Sequence, residues 1–160
     1  MKTILFIGQA PARPSSAHEV SGTYLHTWLH YIGFSDHDIQ QYCHFYALID
    51  TFPGSSKSGH IPPTKAQISS YRPTLMRLVR RIQPDIIVPV GKLAISELTG
   101  MRNTPLTNII GQTFVLDPFR VLGHTIPCIP LSHPSGASVW NHAHKEHVQK
   151  ALAALHQAAR

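Results

Sequence analysis

The segment from residue 131 to 138 brings several chemically active groups together between an apolar run and the last predicted helix. It reads L-S-H-P-S-G-A-S and contains the imidazole of His133. Backbone N–H groups at the start of a helix lack intrahelical partners and carry partial positive charge, so such a corner can bind an anion. His133 could stabilise negative charge on a leaving group, as an electrophile or an acid. The predicted phosphate donors are Ser135, Gly136 and Ser138, and a simple Ser-Gly helix cap is the structural alternative.

A second polar corner, G-Q-A-P-A at residues 8–12, follows the first predicted strand. Gln9 offers both a donor and an acceptor, which suits the edge of a nucleobase or a bound water. We predict that Gln9, Ala10 and Pro11 line a base-binding surface and that Gln9 also takes part in catalysis. In the loop that follows, His18 is a further candidate for base contact, and an ordinary exposed loop is the alternative.

Two more polar residues follow predicted strands. Asp50 ends the second strand and could hold or deprotonate a water, although an Asx-turn or loop cap is its more ordinary role. Lys92 comes after Gly91 at a predicted helix start and could meet a phosphate, and an exposed first-turn lysine is the alternative. The spacing around Lys92 is not that of a P-loop.

Short apolar runs alternate with helical patterns along the chain, an order typical of parallel strands joined by crossover helices. The α/β class follows, and ligands of such sheets bind where the carboxyl ends of the strands meet. The pattern over 64–82 predicts a long helix that starts with a capping box and is interrupted or kinked at Pro73. The four main strands are predicted at 3–7, 43–49, 85–90 and 125–131, a short one at 113–116, and further helices at 22–31, 91–100 and 138–156.

The composition indicates a single basic domain. With 160 residues and 42% hydrophobic content, the chain can build one substantial core but not two ordinary domains. A net charge of +6 favours a polyanionic or phosphorylated partner. Twelve histidines would add positive charge in mild acid, so affinity for DNA or RNA should rise as the pH falls. Arg77, Arg80 and Arg81 fall on the polar face of the long helix, where we expect a solvated surface rather than a DNA contact.

Cysteine and histidine spacing gives no metal centre. Only Cys43 and Cys128 are present, so one chain cannot build a disulfide framework or a four-cysteine iron–sulfur cluster, and we expect two buried free thiols. His142, His144 and His147 lie on the last predicted helix, but only His144 and His147 are close in helical spacing and no third ligand is apparent. We therefore expect these histidines to be exposed rather than to bind a metal. No cofactor is predicted.

The N-terminal apolar run is much shorter than a signal-peptide core or a membrane span. We therefore expect a soluble, cytoplasmic protein without a membrane partner.

The two polar corners, in this order, resemble the active-site motifs of the uracil-DNA glycosylase superfamily. His133-Pro134-Ser135 is similar to the second motif and G-Q-A-P-A to the first, and the resemblance covers nearly the whole chain. It implies a three-layer α/β/α sandwich with a central, mainly parallel four-stranded sheet. It also implies that DNA is the partner, that a nucleotide is flipped out of the helix, and that the N-glycosidic bond is hydrolysed without metal chemistry.

The chain departs from that pattern at several positions. Some branches carry an acid at the position of Gln9, and others an acid or asparagine at the position of Ala10, so the usual water activator is missing. A branch with G-L-A-P-A has a similarly apolar first motif. The base-stacking aromatic of related proteins falls near Ala17 or His18, and the uracil-reading asparagine near Leu48. The cysteines of the iron–sulfur branches are absent.

These observations favour a DNA glycosylase acting on a flipped uracil or another deaminated base, as in base excision repair. His133, Gln9 and Asp50 are its candidate catalytic residues. Two alternatives stay open: a noncatalytic nucleic-acid-binding module that keeps the fold, and an enzyme acting on free nucleosides or nucleotides.

Overall fold

A five-stranded sheet forms the centre of the computed structural model, which describes residues 1–11, 22–51, 53–56, 59–135 and 138–160. Its strand order is β2-β1-β5-β7-β6, with the first four strands parallel and β6 antiparallel at the edge. β3 and β4 form a separate two-stranded hairpin. In chain order the strands are β1 (Ile4–Gly8), β2 (Cys43–Ala47), β3 (Ser55–Ser56), β4 (Gly59–His60), β5 (Ile86–Pro89), β6 (Phe114–Leu116) and β7 (Ile126–Cys128).

The predicted four-stranded sheet is therefore one strand too small. The short strand expected at 113–116 joins the sheet because the chain turns back sharply after it. The carboxylate of Asp117 accepts the backbone N–H groups of Leu122 and Gly123, both at 2.8 Å, which closes the turn. This turn lets β6 pair antiparallel with β7, with Phe114 opposite Cys128.

Helices connect the strands. They are α1 (Gly22–Tyr31), α2 (Asp36–Tyr42), α3 (Lys65–Ile82), α4 (Lys92–Thr99), α5 (Val139–Ala143) and α6 (Lys145–Ala158), with 3₁₀ turns at Leu106–Asn108 and Pro118–Arg120. α2 is an addition to the predicted elements. Its start has a local signal, because Ser35 and Asp38 form a reciprocal capping box.

The capping box predicted for α3 is confirmed, with Thr64 and Gln67 exchanging side-chain-to-backbone hydrogen bonds of 2.8 and 3.1 Å. The predicted interruption at Pro73 is wrong, since α3 is one helix from Lys65 to Ile82. Proline cannot donate to the carbonyl four residues earlier, which belongs to Ser69. Both Pro73 and Ser69 are exposed, so solvent can meet that carbonyl and the helix continues.

The single last helix predicted at 138–156 is instead two helices. His144, with φ −128° and ψ 46°, lies between α5 and α6 and breaks the helical path. Its Nδ1 donates to the carbonyl of Trp140 at 3.0 Å and its ring stacks on the Trp140 ring at 4.4 Å. These local contacts compete with a continuous helix, and sequence periodicity does not register them.

Two apolar clusters lie on opposite faces of the sheet, which confirms the three-layer α/β/α sandwich. The first contains Ile4 and Phe6 of β1 with residues of α1 and α6 such as Leu29 and Leu155. The second contains Leu5 and Ile7 of β1 with residues of α3 and part of α4. Alternate β1 residues thus face opposite helical layers, as the pleat of a strand buried on both sides requires.

Strand order determines where the sheet opens a crevice. From β1 the chain moves outward to β2, then crosses back over β1 to β5 and continues to β7. The direction of winding reverses between β1 and β5. In open α/β sheets, the crevice at the carboxyl ends of the strands flanking such a reversal is where ligands bind. We call this end of the four parallel strands the carboxyl edge.

The same topology places the α3 arginines away from the carboxyl edge. α3 starts after β2 at the carboxyl edge and returns to the opposite edge, where β5 begins. Arg77, Arg80 and Arg81 lie in its second half and are exposed, as expected for a solvated face.

Both thiols are buried and free, as predicted. Cys43 belongs to the first cluster and Cys128 to the second, on strands separated by β1 and β5. Within the described part of the chain, no helix has the length and apolar character needed to cross a membrane.

Candidate functional site

Backbone hydrogen bonds join the loops at the carboxyl edge. The Val90 N–H donates to the Ile7 carbonyl at 2.8 Å, and the next N–H, of Gly91, donates to the Leu131 carbonyl at 2.9 Å. On the other side of β1, the Leu48 N–H donates to the Gly8 carbonyl at 3.0 Å. The loops that follow β1, β2, β5 and β7 therefore start side by side, and the chemical groups they carry face one edge.

The loop after β7 exposes one titratable side chain on a buried backbone. Leu131, Ser132 and Pro134 are buried, whereas His133 between them is exposed. His133 is thus an exposed residue on an otherwise buried segment that follows β7. That His133 contacts a ligand at the carboxyl edge stays a prediction.

Asn141 of α5 holds this loop, and sequence reasoning missed it. Its side-chain oxygen accepts the Ser132 hydroxyl at 2.6 Å, and its side-chain nitrogen donates to the His133 carbonyl at 2.8 Å. Its backbone N–H donates to the Ser138 hydroxyl at 3.1 Å. The sequence offered one signal for it: Asn141 is a polar residue three positions after Ser138, the N-cap of α5, and this spacing brings it next to the cap.

The structure gives Ser138 the capping role that stood as the alternative to phosphate binding. It is the N-cap of α5, and its hydroxyl oxygen accepts the N–H three residues on. Accepting that bond uses one lone pair of the Ser138 oxygen, so the hydroxyl hydrogen can still donate to a ligand. Ser135 is half-buried and its carbonyl accepts the Ser138 N–H at 3.2 Å. The prediction for Gly136 lies outside the described residues.

Gln9, Ala10 and Pro11 follow β1 directly and are all half-buried. Ala10 packs against the second apolar cluster, which fixes this corner to the layer of α3. The segment therefore lies beside the reversal between β1 and β5. The prediction for His18 falls outside the described residues.

Asp50 is exposed three residues beyond the end of β2. Its carboxylate lies close enough to Tyr71 of α3 to influence that side chain: burial raises the pKa of Tyr71, and the negative charge of Asp50 raises it further. Tyr46 of β2 contributes in the same direction. Asp50 therefore shares its corner with two half-buried phenols.

Asp50 and His133 lie at opposite ends of the candidate site. They follow β2 and β7, which are separated by β1 and β5 in the sheet. Three strand spacings amount to about 14 Å. Asp50 lies three residues beyond the end of β2 and His133 five beyond the end of β7, so the two loops also determine how far apart the side chains lie.

Gly91 and Lys92 occupy the middle of the site. Gly91 has φ 89° and ψ 159°, a conformation that essentially only glycine adopts, and it is the N-cap of α4. Lys92 is the first residue of α4 and is exposed. The sharp turn at Gly91 thus places a lysine between the β1 and β7 loops.

Three aromatic rings cluster beside the loop after β7. Trp140 stacks on His144 and lies 6.1 Å from His147 between ring centroids. The expectation that all three helix histidines are exposed is wrong for His144 and His147, which are half-buried because they pack on this ring, and holds for His142. Among the described residues, no group of three His, Cys, Asp or Glu side chains could hold a metal ion.

The thiols are poorly suited to bind metal. Burial raises the pKa of both Cys43 and Cys128 to about 12, with Asp38 adding to the effect at Cys43. A cysteine binds metal as a thiolate, and these two thiols favour the neutral form.

Comparison with protein families identifies the class. The model of the uracil DNA glycosylase superfamily matches residues 2–156, nearly the whole chain. The protein belongs to that superfamily. At the family level it is therefore a DNA glycosylase-like protein, of a class whose members are generally hydrolases acting on DNA. No curated protein matches the chain.

Proposed function

We propose that this protein is a DNA glycosylase that hydrolyses the N-glycosidic bond of uracil or another deaminated base flipped out of DNA. One observation carries the proposal: the loops after β1, β5 and β7 are joined at the reversal point of the sheet, with the His133 imidazole exposed among them. Family membership over residues 2–156 supports the reaction class.

In the reaction, a water oxygen forms a bond to C1′ of the sugar while the bond from C1′ to the base nitrogen breaks. The bonding electrons leave with the base, which departs as an anion. His133 donates a hydrogen bond to that developing charge, and a donor placed in advance acts mainly on the transition state. The water loses a proton to Asp50 or to solvent. Gln9 orients the water or the base edge through its amide.

The positions of Asp50 and His133 after non-adjacent strands support this assignment of roles. Attack on the side opposite the leaving base puts the water and the base on opposite faces of the sugar. Inverting glycosidases, which hydrolyse a related bond, keep their two catalytic groups well apart for the same reason. The ends of β2 and β7 are about 14 Å apart, a span wide enough for a nucleoside and a water.

Hydroxyl and amino groups near His133 supply the DNA-backbone contacts in this proposal. Ser135 and Ser138, with Gly136 between them in sequence, bind one phosphate, and Lys92 binds another. Because α5 has five residues, hydroxyl and backbone N–H groups rather than a long helix dipole would provide the attraction. Flipping costs a few kcal/mol of stacking and pairing, and least at a damaged or mismatched pair.

The first experiment incubates the protein with single- and double-stranded oligonucleotides that carry uracil, hypoxanthine or xanthine. Alkali then cleaves any abasic sites. We expect strand scission with at least one base, and its loss in His133→Ala. Scission that persists in His133→Ala would reject the role of His133.

A noncatalytic nucleic-acid-binding module is the second candidate. The absence of a carboxylate at both Gln9 and Ala10 favours it, since related branches place an acid there. Salt-sensitive DNA binding without scission of any substrate would establish this alternative. Tight binding of a mononucleotide with weak DNA binding would instead point to a free nucleoside or nucleotide as the substrate.

A further inference from the structure

One side chain connects both ends of the loop that carries His133. The amide of Asn141 accepts the Ser132 hydroxyl at 2.6 Å and donates to the His133 carbonyl at 2.8 Å. Its own backbone N–H donates to the Ser138 hydroxyl at 3.1 Å. Residues 132, 133 and 138 are thereby held to a single position on α5.

The surroundings fix the orientation of the Asn141 amide. Reversed, it would point its oxygen at the His133 carbonyl oxygen, and two acceptors would face each other without a proton between them. A carboxylate at this position would do the same, and an alanine would offer neither group. Only an amide of this length satisfies the Ser132 hydroxyl and the His133 carbonyl together.

Burial makes the bond between Asn141 and the Ser132 hydroxyl the most consequential of the three. Ser132 is 3% exposed and is the one buried polar residue among those the structure describes. Removing the hydrogen-bond partner of a buried hydroxyl destabilises the folded state more than removing that of an exposed one, because water does not replace the lost bond. The His133 peptide therefore cannot rotate without breaking a hydrogen bond to Asn141 and disturbing the one to Ser132.

We propose that Asn141 is a positioning residue that fixes the backbone of His133 so that its imidazole reaches the leaving base. The proposal rests on the function proposed above. A displacement of about 1 Å in a reacting group can cost about 100-fold in rate, so a loosened His133 backbone should lower turnover strongly. Substrate binding should change little, because the oxygen and the nitrogen of the Asn141 side chain both bond to the loop itself.

The test compares Asn141→Asp with Asn108→Asp, a matched change at an exposed asparagine of a 3₁₀ turn. In Asn141→Asp we expect kcat to fall by about 10- to 100-fold with KM within about twofold of wild type. Asn108→Asp should leave both values unchanged. Activity of Asn141→Asp should recover relative to wild type as the pH falls, because a protonated carboxyl can again donate to the His133 carbonyl.

A measurement independent of activity separates this inference from the proposed function. The ¹⁵N and ¹H shifts of the His133 imidazole and backbone, followed by NMR, should change in Asn141→Asp and not in Asn108→Asp. Hydrogen exchange of the His133 amide should accelerate. If wild type cleaves no substrate, the proposed function fails, while these shifts still decide whether Asn141 fixes His133.

Ser132→Ala covers the case in which Asn141→Asp does not fold. It removes one of the amide's partners and keeps the bond to the His133 carbonyl, so we expect a smaller fall in kcat with unchanged KM. Unchanged kcat and unchanged His133 shifts in a folded Asn141 variant would overturn the proposal. So would a loss of thermal stability with normal turnover, which would make Asn141 merely structural.

Discussion

The N–H of Gly91 donates to the carbonyl of Leu131 at 2.9 Å, and this bond connects the loop after β5 to the loop that presents His133. The preceding N–H, of Val90, binds in the other direction, to Ile7 of β1. The N–H groups of these two consecutive residues thus connect the loop after β5 to β1 on one side and to the loop after β7 on the other. The unusual backbone conformation of Gly91 makes this possible, since it turns the chain directly from β5 into α4.

Gly91→Ala should destabilise the protein although space is available for the added methyl group. Among the described residues, no heavy atom apart from those of its chain neighbours lies within 4 Å of the position its Cβ would take, so the cost is conformational, at about 1 to 3 kcal/mol. Urea unfolding measures it. Ser70→Ala, at an exposed site within α3, is the control and should stay within about 0.5 kcal/mol of wild type. Equal stability of Gly91→Ala and wild type would contradict the strained conformation.

Asp50→Asn should lower turnover without weakening DNA binding. The exchange keeps the shape of the side chain and removes the base to which the proposed mechanism assigns the water proton, a role typically worth about 10²- to 10⁴-fold in rate. Single-turnover cleavage of a uracil-containing strand measures the effect. Asp36→Asn makes the same change at a 95% exposed carboxylate of α2 and should have wild-type activity. Full activity of Asp50→Asn would remove Asp50 from the mechanism.

Positive charge should matter for DNA binding only where it lies at the carboxyl edge. Lys92→Ala removes a charge beside the site, whereas Arg81→Ala removes one at the far end of α3. If Lys92 neutralises one phosphate, its variant should bind DNA more weakly and reduce the slope of log affinity against log salt by about 1. Arg81→Ala should leave the slope unchanged, and equal effects of the two substitutions would point to a different DNA path.

Much of the fold could be predicted from the sequence because its signals are local. Apolar runs at β1, β2, β5 and β7 and the capping box at Thr64 each determine structure within a few residues. What escaped prediction depends on specific side-chain contacts that hydrophobic periodicity does not reveal. The fifth strand needs the turn held by Asp117, and the division of the last helix needs His144 to stack on Trp140.

Some residues of the candidate site could likewise be predicted from the sequence, and others could not. His133 and Gln9 were predictable as residues that follow strands, because parallel strands must end at one edge. The order of the strands that precede Asp50 and His133 was not, since the sequence does not display it. Asn141 was hidden because its importance lies in three hydrogen bonds to a loop that begins nine residues earlier.

The two buried thiols should make the protein sensitive to alkali. Burial raises the pKa of Cys43 and of Cys128 to about 12 from an ordinary value of 9.0. Between these values the unfolded thiols ionise while the folded ones stay neutral, so the rising pH stabilises the unfolded state relative to the folded one. The contribution to stability is intact below about pH 9 and is lost progressively towards about pH 12, by about 1 kcal/mol per thiol at pH 10.

Urea unfolding at about pH 8 and pH 10 compares wild type with the double variant Cys43→Ala, Cys128→Ala. The variant is expected to be less stable at pH 8, because each substitution leaves a small cavity in a packed cluster. Its further loss between the two pH values should be smaller than that of wild type by about 2 kcal/mol, the sum for two thiols. An equal loss in both proteins would show that the thiols ionise alike in the folded and unfolded states. Native-state alkylation gives an independent check, since neutral buried thiols should react only as fast as the protein opens.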